Sequence, residues 1–480
     1  MTHLDDTALR QLASTFGGEL IRPCDDRYES ARRIWNGMID RRPALIARCA
    51  GVADIVAALE FGRQHDLPVA VRGGGHNVAG HAICDDGVVI DLSAQKGVRV
   101  DPAARTARAQ PGATWGEFDR ETQHFGLATT GGEVSTTGIA GLTLGGGFGW
   151  LARTHATACD NLLSADVVTA GGEAVRASAG ENSDLFWGLR GGGGNFGVVT
   201  SFEYRLHPVG PRVLAGPVVY PYERAGEVLR SFGDYLMEAP DALSAIAAIF
   251  TAPPAPDLPR EVHGQRVVGV NLCSVGNLSD AEKMARPLRS LGRPLADLVA
   301  PTRYTAFQAA SDEGVPPGLR NYWKSSYLNQ LTDEAIDTIV AHAAAITSPL
   351  SLIAIERLGG AVSRIDDDET AFGHRDAAFD FRALSLWRDP HESDTHIAWT
   401  HGFASAMQPF STGAVYVNNL GNEGEDRTKA AYAPAKYDRL VALKDTYDPA
   451  NLFRGNQNIR PSASAENGVE ELARGTAANT

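Results

Sequence analysis

A chain of 480 residues, 43% hydrophobic and 21% charged, has the composition of a soluble globular protein. It exceeds the size at which one core keeps growing, so two domains or one interrupted domain are expected. The net charge of −14 argues against nucleic acid or an anionic membrane as partner, because both are bound through Lys and Arg. The five cysteines, Cys24, Cys49, Cys84, Cys159 and Cys273, are odd in number and far apart with no C-x-x-C pair, so no disulfide framework and no metal site is expected. Asp5 and Asp6 stand where a signal peptide carries basic residues. No run approaches the roughly 18 apolar residues of a membrane span, and a cytoplasmic protein is expected.

In chain order, residues 6 to 20 read as a short amphipathic helix, and Arg42 to Ala47 as a loop entering a strand. From Val52 to Phe61 apolar residues recur at helical spacing and stop before Pro68. Val69 to Arg72 is a buried strand that breaks into Gly73, Gly74 and Gly75, then His76 and Asn77. Three successive glycines admit positive φ and let a ligand touch the main chain. Their N–H groups form a nest suited to a pyrophosphate, and Arg72 adds a cation beside it. A surface turn with a solvated histidine is the bland alternative for such a string.

Short strands follow at 88–92, 97–101 and 106–110, then a helical stretch from Trp115 to Phe125. A second glycine-rich region holds eight glycines from Gly131 to Gly149 inclusive. That density serves either close ligand approach or a series of bulges, and the upstream loop favours the ligand. Another strand begins at Asp166. Gly192, Gly194 and Gly197 spell G-x-G-x-x-G, but a dinucleotide fingerprint opens a helix, whereas Val198 to Leu206 has strand composition.

The string R-G-G-G-H-N-V-A-G-H (residues 72–81), the run from Trp187 to Thr200 and the segment Tyr437 to Ile459 together resemble one superfamily, the vanillyl-alcohol-oxidase type of FAD-linked oxidases with a PCMH-type FAD-binding domain. Within it the berberine-bridge-enzyme and 6-hydroxynicotine-oxidase-like branch is the most similar, over about Trp35 to Ile459. The resemblance implies an α+β fold: a two-lobed FAD-binding domain (1–207, closed by a C-terminal segment 429–462) interrupted by a substrate domain with an antiparallel sheet (208–428). Pro208, Pro211, Pro217 and Pro221 mark that boundary. Beyond it, helical patterns at 223–237, 279–291 and 333–346 alternate with strands, as in a sheet with helices on one face. Residues 463–480 are expected to be a disordered tail.

The same resemblance implies that FAD is bonded through its 8α carbon to His76. Val134 stands where doubly linked relatives carry a cysteine, so one covalent link is expected. Around the cofactor it places Arg72, Gly73, Gly74, Gly75, Asn77, Gly80, Gly132, Thr137, Gly138, Gly141, Gly145, Gly146, Phe148, Gly149, Val198, Asn456 and Asn458.

Flavin chemistry needs a base beside the oxidised group of the substrate. Relatives often carry Y-x-N-Y-x-D in a strand before the C-terminal motif. Here Tyr416 and Asn418 match, but Asn419 replaces the second tyrosine. Glu356, ending the apolar strand from Leu352, is the replacement: a carboxyl facing a cavity is raised in pKa by desolvation. A salt bridge to Arg357 or Arg364 is the equal alternative. Tyr416 reads as a positioning hydroxyl, and His374 either borders the pocket or caps a strand. The expected activity is an O2-using oxidase taking a hydride from a C–OH or C–N carbon of a small secondary-metabolite, alkaloid or sugar-like substrate, as monomer or homodimer. The alternative is a flavin-N5-oxide-type monooxygenase of polyketide-like substrates, suggested by the stretch Trp35 to Cys49. In either case Thr137 and Leu142 could help line an oxygen site.

Overall fold

The computed structural model describes residues 5–462, and the expected tail from residue 463 lies outside them. Three main sheets build an α+β protein. The first runs Glu19–Ile21, Leu45–Arg48, Val88–Asp91, Val69–Arg72, with the last three strands parallel. Helix Val52–Gln64 makes the crossover and buries Ile55, Ala58 and Leu59 against the sheet. The N-terminal helix is shorter than its periodicity predicts, ending at Thr15 rather than residue 20. The chain there must pass under the sheet edge: a Cβ on Gly18 would lie 2.0 Å from the Arg48 carbonyl oxygen, and Glu19–Ile21 pairs at once with Leu45–Arg48.

The second sheet is antiparallel, in the order Val98–Asp101, Thr106–Ala109, Val198–Arg205, Leu162–Val168, Ala174–Ser178. The G-x-G-x-x-G string therefore opens a strand and not a helix. Helix Trp115–Gln123 starts on a capping box in which Thr114 and Glu117 satisfy each other's backbone N–H groups.

The third sheet has eight strands, all antiparallel. Its central order is Arg212–Pro221, Arg266–Ser274, Leu243–Thr251, Leu352–Arg357, Phe379–Trp387, Arg320–Leu328. Side chains alternate between its faces. Ile353, Ile355, Phe379, Phe381 and Ala383 pack with Phe232, Ile336 and Phe403 of the covering helices. The intervening residues of the same strands look the other way, towards the glycine loops. No helix among the described residues is long and apolar enough to cross a membrane.

Candidate active site

One cavity of about 810 Å³ lies between the glycine loops and the uncovered face of the eight-stranded sheet. Its glycine-rich wall is assembled from the strand end at Arg72 and the start of helix Ile139–Leu144. The two segments touch back to back: a Cβ on Gly74 would lie 2.5 Å from the Gly138 Cα, and one on Gly138 would lie 2.6 Å from the Gly74 nitrogen. Elsewhere the wall is bare towards the cavity, since a Cβ on Gly141 or Gly194 would meet no protein atom within 4 Å. A ligand can therefore lie directly on this backbone.

Of the residues singled out in the sequence, Gly73, Gly74, Gly75, His76, Asn77, Gly132, Thr137, Gly138, Gly141, Phe148, Glu356, Tyr416, Asn418 and Asn456 line the cavity, as does Val134. Arg72, Gly80, Gly145, Gly146, Gly149, Val198 and Asn458 stand outside the lining. Arg72 is turned away into a buried ion pair with Asp91 and donates to the Ala31 carbonyl. Three of these glycines answer to protein neighbours: an added Cβ would strike Asn418 at Gly145, the Phe372 ring at Gly146 and the Gly131 carbonyl at Gly149. Gly80 packs on Ile39. His374 lies outside the lining with positive φ, its ring nitrogen 3.1 Å from the Ala430 carbonyl. Cys159 is buried beside Thr157, and burial pushes its thiol up to about 12.

His76 stacks on Trp35, ring centroids 4.2 Å apart at 18°. Trp35 is in turn fixed by Trp323 edge-on at 5.6 Å and by donation from its Nε1 to the Val315 carbonyl at 2.9 Å. Burial lowers His76 to about 4, so the imidazole is neutral. Its Nε2 is buried without a hydrogen-bond partner. The same holds for His81, which also lines the cavity and which sequence reasoning passed over although it ends the quoted motif.

The opposite wall carries the charge. Registers Glu356↔Asp380, Ala354↔Arg382 and Leu352↔Leu384 put Glu356, Asp380 and Arg382 on the cavity face. Arg382 donates from Nη2 to Glu356 Oε2 at 3.1 Å and from Nη1 to Glu133 Oε1 at 2.9 Å, with Nε 3.4 Å from Asp380 Oδ2. Glu356 therefore pairs with neither Arg357, which donates to the Leu236 and Ala378 carbonyls, nor Arg364, which pairs with Asp241. Desolvation, reinforced by the Glu133 charge, holds Glu356 well above the usual carboxylate range. Desolvation also raises Asp380 to about 7, and one Asp380 oxygen is buried without a partner. Sequence reasoning missed Glu133, Asp380 and Arg382. A usable signal was there, since Asp380 and Arg382 are two apart in a strand whose only other polar residue is Ser385 and hence on one face.

Tyr416 begins a single 3-10 turn, Val417–Asn419, and not a strand. The turn is fixed by side chains: Asn418 Nδ2 donates to the Leu142 carbonyl at 3.0 Å and to Tyr416 Oη at 2.7 Å. Gly147 N–H also donates to Tyr416 Oη at 2.7 Å, so the phenolic proton is the hydroxyl's remaining bonding group. Burial raises the phenol, keeping it protonated. Asn419 donates to Asp380 Oδ2 at 3.0 Å and so orients that carboxyl.

The residues present fit FAD on independent grounds. The bare backbone at Gly141 and Gly194 offers a cradle, the neutral His76 leaves one buried nitrogen unpartnered, and the Asn456 amide oxygen is a buried acceptor with no partner. Among the described residues Arg382 is the only Lys or Arg in the lining, so a diphosphate would be received chiefly by backbone N–H groups.

Comparison with known proteins agrees. A family model described as FAD binding domain matches residues 43–178, and one described as berberine and berberine like matches residues 415–460. The chain is 32% identical to (R)-6-hydroxynicotine oxidase of Paenarthrobacter nicotinovorans over 466 residues, 93% of this chain and 97% of that one. The crystal structure of 6-hydroxy-D-nicotine oxidase from Arthrobacter nicotinovorans superposes with a TM-score of 0.85 at 30% identity, covering 93% and 98%. A glucooligosaccharide oxidase of Acremonium strictum, which carries a 6-S-cysteinyl, 8α-N1-histidyl FAD, shares the fold at a TM-score of 0.82 and 23% identity, covering 93% and 98%. With an FAD-binding domain before its eight-stranded sheet and a berberine-like segment after it, the chain belongs to the berberine-bridge-enzyme-like family of FAD-linked oxidoreductases.

Proposed function

We propose that the protein is an oxidase that removes a hydride from a carbon bearing an O–H or N–H group of a small ring-bearing molecule and passes the electrons to O2. One observation carries this reading: a single cavity joins the His76 loop to the Glu356–Arg382 wall. When bound, FAD supplies the two-electron acceptor. His76, neutral and stacked on Trp35, would hold it through one covalent link, with Val134 in place of a second nucleophile. Trp323, Phe250, Leu352 and Leu384 line the same cavity and suit an apolar ring. Glu356, raised in pKa, takes the proton of the oxidised group. Tyr416, its oxygen already accepting two hydrogen bonds, orients the substrate through its own proton.

The C-terminal segment belongs to the cofactor site in this reading. Asn456 Nδ2 donates to the Gly194 carbonyl, and Ile459 N–H donates to Asn195 Oδ1. The test is anaerobic bleaching of the purified holoenzyme with (R)-6-hydroxynicotine, an oligosaccharide and a polyketide-type phenol, then readmission of O2 with detection of peroxide. A positioned base contributes roughly 10²- to 10⁴-fold, so Glu356→Gln slows bleaching by about that factor. Bleaching of the variant at the wild-type rate removes Glu356 from the reaction, and a product carrying an inserted oxygen atom would favour a monooxygenase. Acid-precipitated protein stays yellow, with the flavin on a peptide containing His76. A colourless pellet rejects the link.

A further inference from the structure

We propose that Glu133 is the second half of the base: Glu133 and Glu356 form a proton-sharing pair spanned by Arg382, and Glu133 receives the proton that Glu356 gives up as it takes one from the substrate. This rests on the reading of Glu356 as base.

The geometry comes first. One guanidinium reaches both carboxyls, Nη1 to Glu133 at 2.9 Å and Nη2 to Glu356 at 3.1 Å. The carboxyls arrive from opposite walls, Glu133 between Gly132 and Val134 on the glycine-rich side and Glu356 on the sheet. Three acidic side chains and one guanidinium are the charged groups of the lining. Full ionisation would leave two uncompensated negative charges on largely buried side chains, and like charges so placed resist it. The site therefore keeps a proton near neutral pH. Of the two glutamates, Glu356, with its side chain 9% exposed against 22% for Glu133, is the better place for that proton; Asp380, though only 2% exposed, accepts from Asn419 Nδ2 and lies 3.4 Å from Arg382 Nε, contacts that favour its charged form. The groups facing Glu356 are Glu133, Arg382 and Asp380, with the Tyr416 and Tyr327 phenols beyond them.

A neutral carboxyl cannot abstract a proton unless it releases its own. In the pair, the substrate O–H or N–H bond breaks and an O–H bond forms on Glu356 while the proton Glu356 carried moves to Glu133. The pair passes from one proton to two, and no electrons move through it. Interacting carboxyls titrate as a unit, so Glu133 sets the pH at which Glu356 is competent.

The experiment is a pH titration of the holoenzyme followed by the infrared C=O band of protonated carboxyl groups, in wild type, Glu133→Gln, Glu356→Gln and the double variant, with flavin content as the check on folding. Expected is a carboxylic-acid band in wild type near pH 7 that Glu133→Gln loses at a pH lower by about one unit or more, as removal of a neighbouring like charge produces. In the Glu356→Gln background the same substitution moves little, as a double-variant cycle requires of a direct coupling. Glu133→Asp retains the wild-type titration. With any substrate that bleaches the flavin, Glu133→Gln slows bleaching at pH values where its Glu356 is still protonated, because that proton has no acceptor, and bleaching recovers as pH rises through the loss of the band. Glu133→Gln titrating like wild type, while Glu356→Gln still slows bleaching, overturns the pair alone. An equal shift in the Glu356→Gln background also overturns it, since Asp380 is then the responsive group. A shifted band with Glu356→Gln bleaching at the wild-type rate leaves the pair standing and overturns the relay together with the base.

Discussion

The two walls of the cavity are built on opposite principles. The glycine-rich wall is made by removing side chains, and its tolerance is measured in tenths of an ångström between backbone atoms such as Gly74 and Gly138. The sheet wall is made of side chains chosen by alternation, and its function depends on how many charges share one guanidinium. Added volume should therefore ruin the first, whereas altered charge should detune the second.

The sharpest way to break this contrast is Gly74→Ala. Its Cβ would lie 2.5 to 2.6 Å from backbone atoms of Gly138 that cannot swing aside. Overpacking commonly destabilises by about 1–3 kcal/mol, and flavin content of the purified protein should fall towards zero. Gly141→Ala is the companion, because its Cβ meets only the cavity. It should keep the wild-type melting temperature while flavin occupancy drops, and a Gly141→Ala protein as unstable as Gly74→Ala would end the distinction.

Asp119 tests the seam between the walls. It is fully buried on helix Trp115–Gln123 and accepts from Gln308 Nε2 at 3.1 Å, which also donates to the Gly132 carbonyl. Desolvation raises it from the ordinary 3.8 to about 7. A carboxyl raised on folding contributes stability that is present below the unfolded pKa and is lost as pH rises through the folded one. Stability should thus decline between about pH 4 and 7 by at most roughly 4 kcal/mol, at about 1.4 kcal/mol per pH unit. Chemical denaturation of Asp119→Asn across that range should show the decline flattened, and an unchanged slope would mean Asp119 is ionised in the fold. The smallest kinetic effect is expected for Tyr416→Phe. It strips an acceptor from Gly147 N–H and Asn418, lowering stability by about 1–3 kcal/mol and slowing bleaching less than Glu356→Gln does. A larger kinetic loss than Glu356→Gln would move the base to the phenol.

The same contrast explains what the sequence could show. Backbone-built sites leave a compositional trace, so the loop at 73–75 and the segment from Gly131 were legible without coordinates. The trace does not say whether a glycine yields to a ligand or to the protein: Gly145 and Gly146 are bare for Asn418 and Phe372, not for the cavity. Arg72 looked like a free cation because its partner Asp91 lies 19 residues on, at the end of the next strand, and meets it only when Val69–Arg72 pairs with Val88–Asp91. The charged cluster was hidden differently. Strand register decides that Arg382 stands beside Glu356, and no local pattern announces that Glu133, embedded among glycines, meets it from the other wall.

The indole behind His76 is held from a distant part of the chain. Trp35 donates to the carbonyl of Val315, 280 positions onward, while Asn36 exchanges hydrogen bonds with the backbone of Asn321. At roughly 5–20 residues per second of synthesis, about 15 to 55 seconds separate the making of Trp35 from that of its anchor. A nascent chain paused before residue 315 already contains every glycine of the loop and the Trp35 N–H bond to the Gly75 carbonyl, yet it lacks the Val315 carbonyl and the Trp323 ring that hold the indole. The setting of this one ring is thus among the late events in the protein's biogenesis.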